Sequence, residues 1–432
     1  MAKKTIAIIG SGITGLSVAW HLNPSTNVVL FEKEERLGGH THTHHLKLDD
    51  NLVHVDSGFI VFNKVNYPNF FSWLTELQVE YNKAEMSFSV SKDSGRFEWS
   101  GKSIFSLFGQ MSNIWSYDFY LMIKDVIRFN SDSKILLSDS NAAQYTIGDF
   151  LDKFGYSHSF RENYLFPMAG AIWSTPVNKI LEYPAVSLIN FFANHGLLGV
   201  GGHHQWFSIE NGSTSYINKF KEKIGKEMTI HLGHKVQKVG CKSKEDKICI
   251  SGAKGKETFS LDFDAVFFCC HADQTVKIIN ESNSVFSILK KFKFQKNFGY
   301  LHNDDSLMPK RKVTWSAWNY RTNNKKLDKN GISITYWMNK LQNLNTKKNL
   351  FVTLNAEISP ANSSIKIPIK YQHPIFDFES LSAKKDLAEH QGTFNFWYAG
   401  AWLGNGFHED GFSAGMGIAK AFNKIHLPNF QE

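Results

Sequence analysis

The sequence predicts an α/β protein with two domains, the first of which is discontinuous and is interrupted by the second. Three observations indicate this architecture. A strand, a glycine-rich turn, a helix and a second strand follow one another within residues 5–32. Apolar strands of the same kind return in the middle and near the end of the chain. The segments between them are rich in aromatic residues and have a different pattern of strands and helices.

The amino-terminal unit consists of two short apolar strands joined by a helix. The strands are Thr5–Ile9 and Val28–Phe31, and the helix runs through Leu16–Leu22. A GxGxxG motif stands between the first strand and the helix, and the acidic residue Glu32 ends the second strand. This order of elements is typical of a Rossmann-like dinucleotide-binding unit.

The residues of this motif have separate physical roles. Gly10 permits a tight turn, Gly12 lets the backbone approach a pyrophosphate, and Gly15 lets the helix pack closely on the strand. The amino end of the helix presents free N–H groups to the phosphates. Glu32 can accept two hydrogen bonds from an adenosine ribose, and its charge would repel the 2′-phosphate of NADP. The predicted contacts are Gly10, Ser11, Gly12, Thr14, Gly15 and Glu32.

A second glycine pair follows in the segment Arg36-Leu37-Gly38-Gly39-His40-Thr41. It lets another stretch of backbone approach the same dinucleotide. A nicotinamide domain does not need such a segment, whereas the longer FAD does, so the pattern favours FAD. A simple surface turn is the alternative. We assign Arg36, Gly38, Gly39, His40 and Thr41 to the cofactor site.

The middle of the chain alternates between the two domains. A hairpin and three helices come first, at Ser87–Val90 with Arg96–Trp99, and at Ile104–Phe129, Ile147–Phe154 and Ala185–His195. An ordinary core helix is the simpler interpretation of the first helix, and a membrane-contacting face is the alternative. Cofactor-domain strands return at His234–Val239, Ile248–Ser251 and Ala265–Cys270, where Val236 is placed to shelter an adenine. The aromatic strands Val313–Tyr320 and Ile332–Met338 fit the floor of a pocket.

The carboxyl-terminal unit is the strand Phe396–Ala399, a turn at Gly400, and a final helix with Asp410 as its N-cap. A helix beginning here would aim N–H groups at the flavin edge that gains negative charge on reduction. We therefore add Val236, Gly400, Asp410, Gly411 and Phe412 to the cofactor site. The predicted cofactor domain comprises residues 1–85, 205–275 and 390–432, and the substrate domain comprises 86–204 and 276–389.

Composition narrows the classes of partner. The net charge is +8, but only six of the 48 basic residues are arginine and the lysines are scattered, so coding bias explains the charge better than a nucleic-acid surface does. The four cysteines lack the spacing of a zinc site. The run His40, His42, His44 and His45 is the alternative metal candidate, but its place after the glycine pair favours contact with the cofactor, so no metal is expected. We expect a cytoplasmic location, with contact to the inner face of the membrane as an alternative.

The motifs together resemble the FAD-dependent amine oxidase and phytoene desaturase superfamily. Several segments resemble more closely a bacterial subfamily of NAD/FAD-binding proteins encoded beside cyclopropane-fatty-acid-synthase-like methyltransferases. These segments are Gly38–Thr43, Val55–Val61, Met86–Val90, Pro167–Pro176, Tyr336–Asn339 and Gly406–Gly411. The resemblance implies an amine-oxidase-like fold, bound FAD, an unsaturated or methylated acyl substrate, and a lipid methyltransferase as a partner. The superfamily's acidic residue after the terminal Ala-Gly is absent, and its role moves to Glu409 or Asp410.

The predicted function is an FAD-dependent oxidoreductase that dehydrogenates or desaturates an acyl chain by hydride transfer. The alternatives are an amine oxidase, a redox-neutral double-bond isomerase, and a non-catalytic flavoprotein partner of a methyltransferase. His408 and Trp173 are the candidate catalytic residues, because His408 precedes the final helix and Trp173 lies within the segment PMAGAIWSTP. The chain has no second GxGxxG, so oxygen, a quinone or a partner protein is the expected electron acceptor.

Overall fold

The structure is a computed structural model that describes residues 3–22, 26–139, 142–173, 177–198, 204–240, 247–280, 284–323 and 332–426. Within these ranges the strands, in chain order, are β1 Thr5–Ile9, β2 Asn27–Phe31, β3 Thr43–Leu48, β4 Asn51–Asp56, β5 Phe62–Asn63, β6 Tyr81–Ala84, β7 Phe88–Lys92, β8 Phe97–Ser100, β9 Trp206–Ile209, β10 Thr229–His231, β11 Lys235–Gly240, β12 Ile248–Lys254, β13 Glu257–Phe263, β14 Ala265–Phe268, β15 Lys293–His302, β16 Trp318–Thr322, β17 Ser333–Trp337, β18 Phe351–Leu354, β19 Lys366–Ile375 and β20 Phe396–Tyr398.

The helices of the same residues, in chain order, are α1 Ile13–Leu22, α2 Pro68–Glu76, α3 Ile104–Leu107, α4 Tyr117–Ser138, α5 Ile147–Lys153, α6 His158–Phe160, α7 Phe166–Trp173, α8 Val177–Leu181, α9 Ala185–Asn194, α10 Thr214–Ile224, α11 Ala272–Thr275, α12 Phe286–Leu289, α13 Met338–Leu341, α14 Phe378–Ala388 and α15 His408–His426. A π-helical turn, Arg161–Leu165, joins α6 to α7. Among the described residues, no helix combines the length and the hydropathy needed to cross a bilayer.

A five-stranded parallel sheet, in the order β10-β2-β1-β14-β20, forms the centre of the first domain. The apolar run of β1 is buried on both faces, as parallel strands require. Ile6 and Ile8 pack in one cluster with α1 and α15, whereas Ala7 and Ile9 pack in another cluster with the antiparallel sheet β11-β12-β13. Because all five strands run the same way, their carboxyl ends meet at one edge, where a nucleotide crevice is expected.

A seven-stranded sheet, in the order β19-β15-β18-β17-β16-β7-β8, forms the second domain. The helices between α4 and α9 pack with it in a separate core that is rich in phenylalanine and tyrosine. The strands of this sheet lie within residues 86–204 and 276–389, and those of the parallel sheet lie within the other predicted ranges. The α/β fold class with a Rossmann-like domain is confirmed, and the boundaries themselves stay a prediction.

Asp56, at the end of β4, holds the two domains together at a fully buried position. Its carboxylate accepts hydrogen bonds from Ser213 N at 2.9 Å, Ser213 Oγ at 2.7 Å, Thr43 Oγ1 at 2.5 Å and Gln342 Nε2 at 2.6 Å. Ser213 precedes α10 of the first domain, and Gln342 follows α13 of the second. Burial raises the pKa of Asp56 to about 6, and these hydrogen bonds oppose the rise.

Two predicted elements differ from the structure. The predicted helix Ile104–Phe129 is divided into α3, a 3₁₀ turn at Met111–Trp115, and α4. Ser103 caps α3, and Ser116 Oγ accepts a hydrogen bond from Phe119 N to begin α4, so local side-chain bonds interrupt a continuous apolar pattern. The predicted strand Val313–Tyr320 begins only at Trp318, because Ser316 N donates to Asn319 Oδ1 at 2.9 Å in a preceding turn.

Candidate functional site

A single cavity of about 2150 Å³ runs from the carboxyl edge of the parallel sheet into the second domain. Its first part is lined by the ends of β1, β2 and β14 and by the turn after β20. Its second part is an apolar branch between the seven-stranded sheet and the helices α4, α7 and α9. Binding pockets for single small molecules are typically ~300–1,000 Å³, so this space suits a cofactor together with a substrate.

The GxGxxG turn forms the wall of the first part. Gly10 has φ of +103°, in the region that favours glycine. A Cβ on Gly15 would overlap the carbonyl oxygen of Gly10, so the close packing of α1 on β1 requires glycine there. A Cβ on Gly12 would meet nothing within 4 Å, which leaves open space in front of that residue. Gly10, Ser11, Gly12 and Thr14 line the cavity, and Gly15 lies behind it.

Glu32 lies in this wall and is 7% exposed. Its Oε2 accepts hydrogen bonds from Ser11 N at 3.0 Å and Ser11 Oγ at 2.6 Å, and its Oε1 accepts one from Glu34 N at 2.9 Å. A carboxylate has about four acceptor positions, so about one remains for a ribose hydroxyl rather than the two that the sequence predicts. Glu32 therefore also fixes the glycine turn.

The second glycine pair lies directly against the first. Gly38 N donates to Ser11 O at 3.0 Å, and a Cβ on Gly39 would stand 3.2 Å from Gly12 Cα. The Arg36 guanidinium donates to Thr41 O and to Gly39 O, both at 2.8 Å, and lines the cavity. Two backbone segments thus approach the same space, as the sequence predicts, and Arg36 braces the second of them.

Three histidines and a tyrosine form a ring cluster beside Gly39. His40 stacks on Tyr371 with centroids 4.8 Å apart, and His271 and His373 each lie 5.8 Å from His40. All four line the cavity. Burial lowers the pKa of His40 to about 4 and those of His271 and His373 to about 3, so the rings are neutral near pH 7. His40 Nε2 and His271 Nδ1 are buried without a hydrogen-bond partner among the described residues.

His408 and Thr41 meet behind this cluster. Thr41 Oγ1 lies 3.0 Å from His408 Nε2 and 2.5 Å from the Tyr216 hydroxyl, which lies 3.2 Å from His408 Nε2. The His408 ring stacks on Phe59 at 3.7 Å, and burial lowers its pKa well below the ordinary value. His408 lines the cavity, whereas Thr41 does not. The bonded, neutral imidazole is suited to orientation of neighbouring groups rather than to strong base catalysis.

The carboxyl-terminal residues are divided between the cavity and its support. Gly400 lines the cavity, as does Val236 of β11. Asp410, Gly411 and Phe412 do not: a Cβ on Gly411 would stand 2.7 Å from Ile13 Cγ2, and Phe412 packs on Trp73 at 5.1 Å. The helix α15 begins at His408, and Asp410 Oδ2 accepts a hydrogen bond from Phe407 N at 2.9 Å. Asp410 is therefore in the first turn and not the N-cap, because its side chain reaches back one turn.

Trp173 belongs to the wall of the apolar branch. Its indole N–H donates to Asn405 O at 3.3 Å, and its ring lies 4.7 Å from Phe191. Trp173 is 7% exposed and has neighbours on its other side, including Tyr183 at 5.3 Å. These contacts suit a positioning residue. The last three residues of the segment Pro167–Pro176, which contributes to the resemblance, lie outside the described residues.

The sequence does not indicate His271, His373 or Tyr371 as site residues. His271 follows β14 at the same sheet edge as Gly10, and this position after a predicted cofactor-domain strand is a signal that could have identified it. Tyr371 and His373 lie in β19, which no pattern in the sequence relates to the cofactor site. Only the pairing of β19 with β15 and the domain contact bring them to His40.

Comparisons with known proteins agree with the first domain. A family described as "NAD(P)-binding Rossmann-like domain" matches residues 8–77. Lysine-specific histone demethylase 1 of Schizosaccharomyces pombe (strain 972 / ATCC 24843) is 37% identical over a match that covers 12% of this chain and 7% of that protein. The chain thus spans only 7% of the length of this curated relative. These matches show a dinucleotide-binding domain.

Solved structures match over the whole chain. A protein from Exiguobacterium sp. 255-15 described as a protoporphyrinogen oxidase has a TM-score of 0.70 at 13% identity, covering 99% of this chain and 100% of that chain. A redesigned triple mutant of putrescine oxidase also has a TM-score of 0.70, at 12% identity, with 98% and 99% coverage. The chain has the fold of these oxidases.

The oxidase fold is shared by a further structure of a different kind. A CLA-producing fatty acid isomerase from P. acnes has a TM-score of 0.62 at 10% identity, covering 98% of this chain and 99% of that chain. At these identities the likeness concerns the fold alone. In this chain the cavity lies where the dinucleotide domain meets the second sheet.

Proposed function

We propose that this protein is an FAD-dependent oxidoreductase that dehydrogenates or desaturates an apolar acyl chain. The observation that carries the proposal is the continuity of the cavity, in which the dinucleotide wall and the apolar branch enclose one space of about 2150 Å³. A substrate in the branch would extend to the cofactor without leaving the protein. The oxidase fold and the Rossmann-like match support the same class of chemistry.

FAD fits the first part of the cavity better than a nicotinamide dinucleotide does. The paired glycine segments leave open space in front of Gly12, and they continue towards His40 beyond the adenosine end at Glu32 and Val236. The orphaned nitrogens His40 Nε2 and His271 Nδ1 supply hydrogen-bonding groups for a polar ligand there. FAD, when bound, supplies a two-electron acceptor for a substrate hydride.

The chain's own residues would orient the substrate and exclude water. Desaturation would remove a hydride from one carbon, for which bound FAD would supply the acceptor, and a proton from the neighbouring carbon, which needs a base in the branch. His195 lines the branch, and its Nδ1–H donates to Phe191 O at 2.9 Å, which leaves Nε2 to accept that proton. Burial lowers the pKa of His195 to about 4, so it would be a weak base that takes the proton only as the hydride leaves. Oxygen, a quinone or a partner protein would then remove the two electrons. Trp173 and Phe191 form the rigid wall of the branch against which the acyl chain would lie.

An amine substrate is the less suitable alternative. A protonated amine would need a free carboxylate in the substrate branch. Glu85 lines the cavity at that end, but it pairs with Lys102 at 3.2 Å and with Lys340 at 3.7 Å. A redox-neutral isomerase is the second candidate, because the fatty acid isomerase has the same fold. That reaction would shift a double bond without net electron transfer.

The deciding experiment mixes the flavin-loaded protein anaerobically with a methyl-branched, unsaturated phospholipid. We expect the absorbance of oxidised flavin to disappear and a desaturated product to be found by mass spectrometry. A shifted double bond with no lasting change in flavin absorbance would identify the isomerase instead. Release of aldehyde and peroxide from common amines would identify an amine oxidase. Stoichiometric co-purification with a lipid methyltransferase, without reduction by any lipid, would indicate a non-catalytic partner.

A matched pair of substitutions on α4 tests whether the apolar branch holds the substrate. Ile123 lines the branch, whereas Ile135 is 57% exposed on the same helix and lies outside the cavity. Ile123→Trp should fill the branch and slow flavin reduction by the acyl substrate at least about tenfold, since overpacking costs ~1–3 kcal/mol. Ile135→Trp should leave the rate unchanged. Equal rates of flavin reduction in the two variants would show that the acyl substrate binds elsewhere.

A further inference from the structure

Large apolar side chains are exposed on one continuous stretch of chain before and within α4. We call this set the apolar collar, and its members are Ile104, Phe105, Met111, Trp115, Tyr117 and Tyr120. Their exposed fractions are 65%, 81%, 72%, 88%, 75% and 47%, in that order. Soluble proteins expose single apolar residues routinely, but a cluster of this kind marks an interaction surface.

The backbone beneath the collar is firmly held. Ser103 and Ser106 form a capping box at the start of α3, and Ser116 caps α4. The Tyr120 hydroxyl donates to Ile114 O at 3.1 Å, and Phe108 lies 6.3 Å from the Tyr120 ring. The backbone that carries the exposed side chains is therefore ordered by hydrogen bonds, and local unfolding does not explain their exposure.

The helices that carry part of the collar, α3 and α4, also line the apolar branch. Leu107 of α3 and Met122 and Val126 of α4 line the cavity from within. Ile127 and Met86 also line the cavity, and they are 58% and 38% exposed. The helices that carry the collar on their outer face thus form the mouth of the cavity with their inner face.

Charge around the collar favours an anionic surface. Lys124 and Lys134 are exposed on α4, and Lys312 lies beside Val313 under α3, with no ion pair for any of them among the described residues. Asp118 is the exposed carboxylate of this helix before its last turn. Asp125 and Asp132 share Arg128, at 3.5 Å and 3.4 Å, so these three groups together carry one negative charge. With three lysines and Asp118, the named groups keep a net charge of +1. Interleaved lysines and aromatic residues are typical of segments that lie in the interface of anionic bilayers.

We propose that the apolar collar docks this protein on an anionic phospholipid bilayer, so that an acyl chain passes from the membrane directly into the cavity. This inference rests on the proposed function, because an acyl substrate is stored in such a membrane. Trp115, Tyr117 and Tyr120 suit the headgroup region of the bilayer. There the apolar part of each ring can face the acyl chains while its polar atom faces water. Phe105 and Ile104 would reach the acyl region beneath it.

Co-sedimentation of the flavin-loaded protein with vesicles tests the proposal. We expect binding to vesicles of phosphatidylcholine with phosphatidylglycerol, and weaker binding to phosphatidylcholine alone. The double variant Phe105→Ser/Trp115→Ser should bind at least about tenfold more weakly, since each buried aromatic residue contributes more than the ~1.4 kcal/mol of a tenfold change. The control Leu52→Ser/Ile358→Ser removes residues that are 61% and 56% exposed on other elements, and it should bind normally.

A second pair of variants tests the charge. Lys124→Glu/Lys134→Glu should abolish the preference for phosphatidylglycerol vesicles, whereas Lys238→Glu/Lys256→Glu on β11 and the β12–β13 turn should preserve it. Light scattering tests whether a second copy of this chain, rather than a membrane, covers the collar. A dimer that the collar variant dissociates, with no vesicle binding, would overturn the proposal in favour of a second copy of this chain.

The outcomes separate this inference from the proposed function. If vesicle binding fails while a short, water-soluble acyl substrate still reduces the flavin, the docking surface is wrong and the oxidoreductase remains. If the collar variants lose vesicle binding but no acyl substrate reduces the flavin in any form, the surface is correct and the substrate class is wrong. Equal binding of the wild type and the collar variant to anionic vesicles would reject the collar itself.

Discussion

Gly12 is the residue at which the cofactor proposal is most directly testable. A Cβ there would meet no protein atom within 4 Å, so Gly12→Ala should fold normally. The added methyl group would occupy the space in which a pyrophosphate approaches the backbone. We expect the affinity for FAD, measured by fluorescence titration, to fall about tenfold or more, equivalent to ~1.4 kcal/mol.

Two other glycines provide the comparison. Gly417 in α15 also has open space around its Cβ position and is exposed, so Gly417→Ala should bind FAD like the wild type. Gly15→Ala should instead lower the melting temperature, because its Cβ would overlap Gly10 O. Unchanged FAD affinity in Gly12→Ala would place the dinucleotide elsewhere.

The neutral histidine cluster predicts sensitivity to acid. The pKa of His40 is lowered from 6.5 to about 4, so below pH 6.5 the unfolded chain binds a proton that the folded chain does not. The free energy of unfolding should therefore fall as the pH falls from 6.5 to about 4, by at most about 1.4 kcal/mol per pH unit for each such group. Urea denaturation at a series of pH values measures this slope. His40→Gln should reduce it, and His45→Gln, on the exposed β3–β4 hairpin, should not.

Single residues were predictable from the sequence where a local motif fixes their place. Gly10, Gly12 and Glu32 follow from one turn between two strands, and each of them lies at the cavity wall. Tyr371 and His373 were not predictable, because their position depends on the pairing of β19 with β15 and on the contact between domains. The hydrogen bonds from Ser11 and Glu34 to Glu32 also depend on how the turn closes.

At the scale of elements, the start of α2 depends on a side chain from the far end of the sequence. Glu409 Oε1 accepts hydrogen bonds from Asn69 N at 3.1 Å and Asn69 Nδ2 at 2.9 Å, and Oε2 accepts one from Phe70 N at 2.9 Å. These bonds satisfy the free N–H groups of the first turn of α2. Glu409 thus acts as a remote helix cap, and the flavin contact considered for it from the sequence remains a prediction.

Glu409→Ala should therefore destabilise the protein without weakening the cofactor site. The loss of a helix cap costs ~0.5–2 kcal/mol, so the urea midpoint should fall while the dissociation constant for FAD stays unchanged. Glu257→Ala, at an exposed position in β13, is the matched control. A large loss of FAD affinity at an unchanged midpoint would instead support the flavin contact.

Helices and strands were predictable where apolar residues recur at strict helical or strand spacing. They were less predictable where side-chain hydrogen bonds to the backbone end an element within such a pattern. β1, β2 and α1 lie where their patterns predict, because both faces of the parallel sheet are buried. The division of residues 104–129 into α3, a turn and α4 depends on Ser103 and Ser116, and on Gly109, where a Cβ would stand only 2.8 Å from Val313 Cγ1. Such side-chain bonds to the backbone compete with the helix and leave little trace in periodicity.

For the whole molecule, Asp56 is a fully buried connection between the domains. Asp56→Ala would leave the Ser213, Thr43 and Gln342 donors without their acceptor in a fully buried position. We expect a loss of about 3 kcal/mol in the free energy of unfolding, because several buried donors lose their partner. Urea denaturation followed by tryptophan fluorescence and by flavin release should show both signals shifting together.

Asp262→Ala is the control for this experiment, because Asp262 is exposed in β13. Its effect should lie within about 0.5 kcal/mol of zero. If Asp56→Ala released flavin well before tryptophan fluorescence changed, the domains would be separating without unfolding. Independent stability of the two domains would then replace the cooperative unit that the shared hydrogen bonds indicate.

The fold class was predictable because one Rossmann-like unit opens the sequence and apolar strands of the same sheet follow in two later stretches. The shared cavity was only partly predictable, since the aromatic strands indicate a pocket floor but not its junction with the dinucleotide wall. That junction is a property of how the two sheets are oriented, and no short segment encodes it.

The walls of the cavity come from segments that are far apart in the sequence, with Gly10 in one segment and Gly400 and His408 in another. A nascent chain therefore leaves the ribosome without a complete cradle until translation has passed α15. Cofactor capture should therefore follow the synthesis of α15, and the colour of bound flavin would report that synthesis has passed this helix.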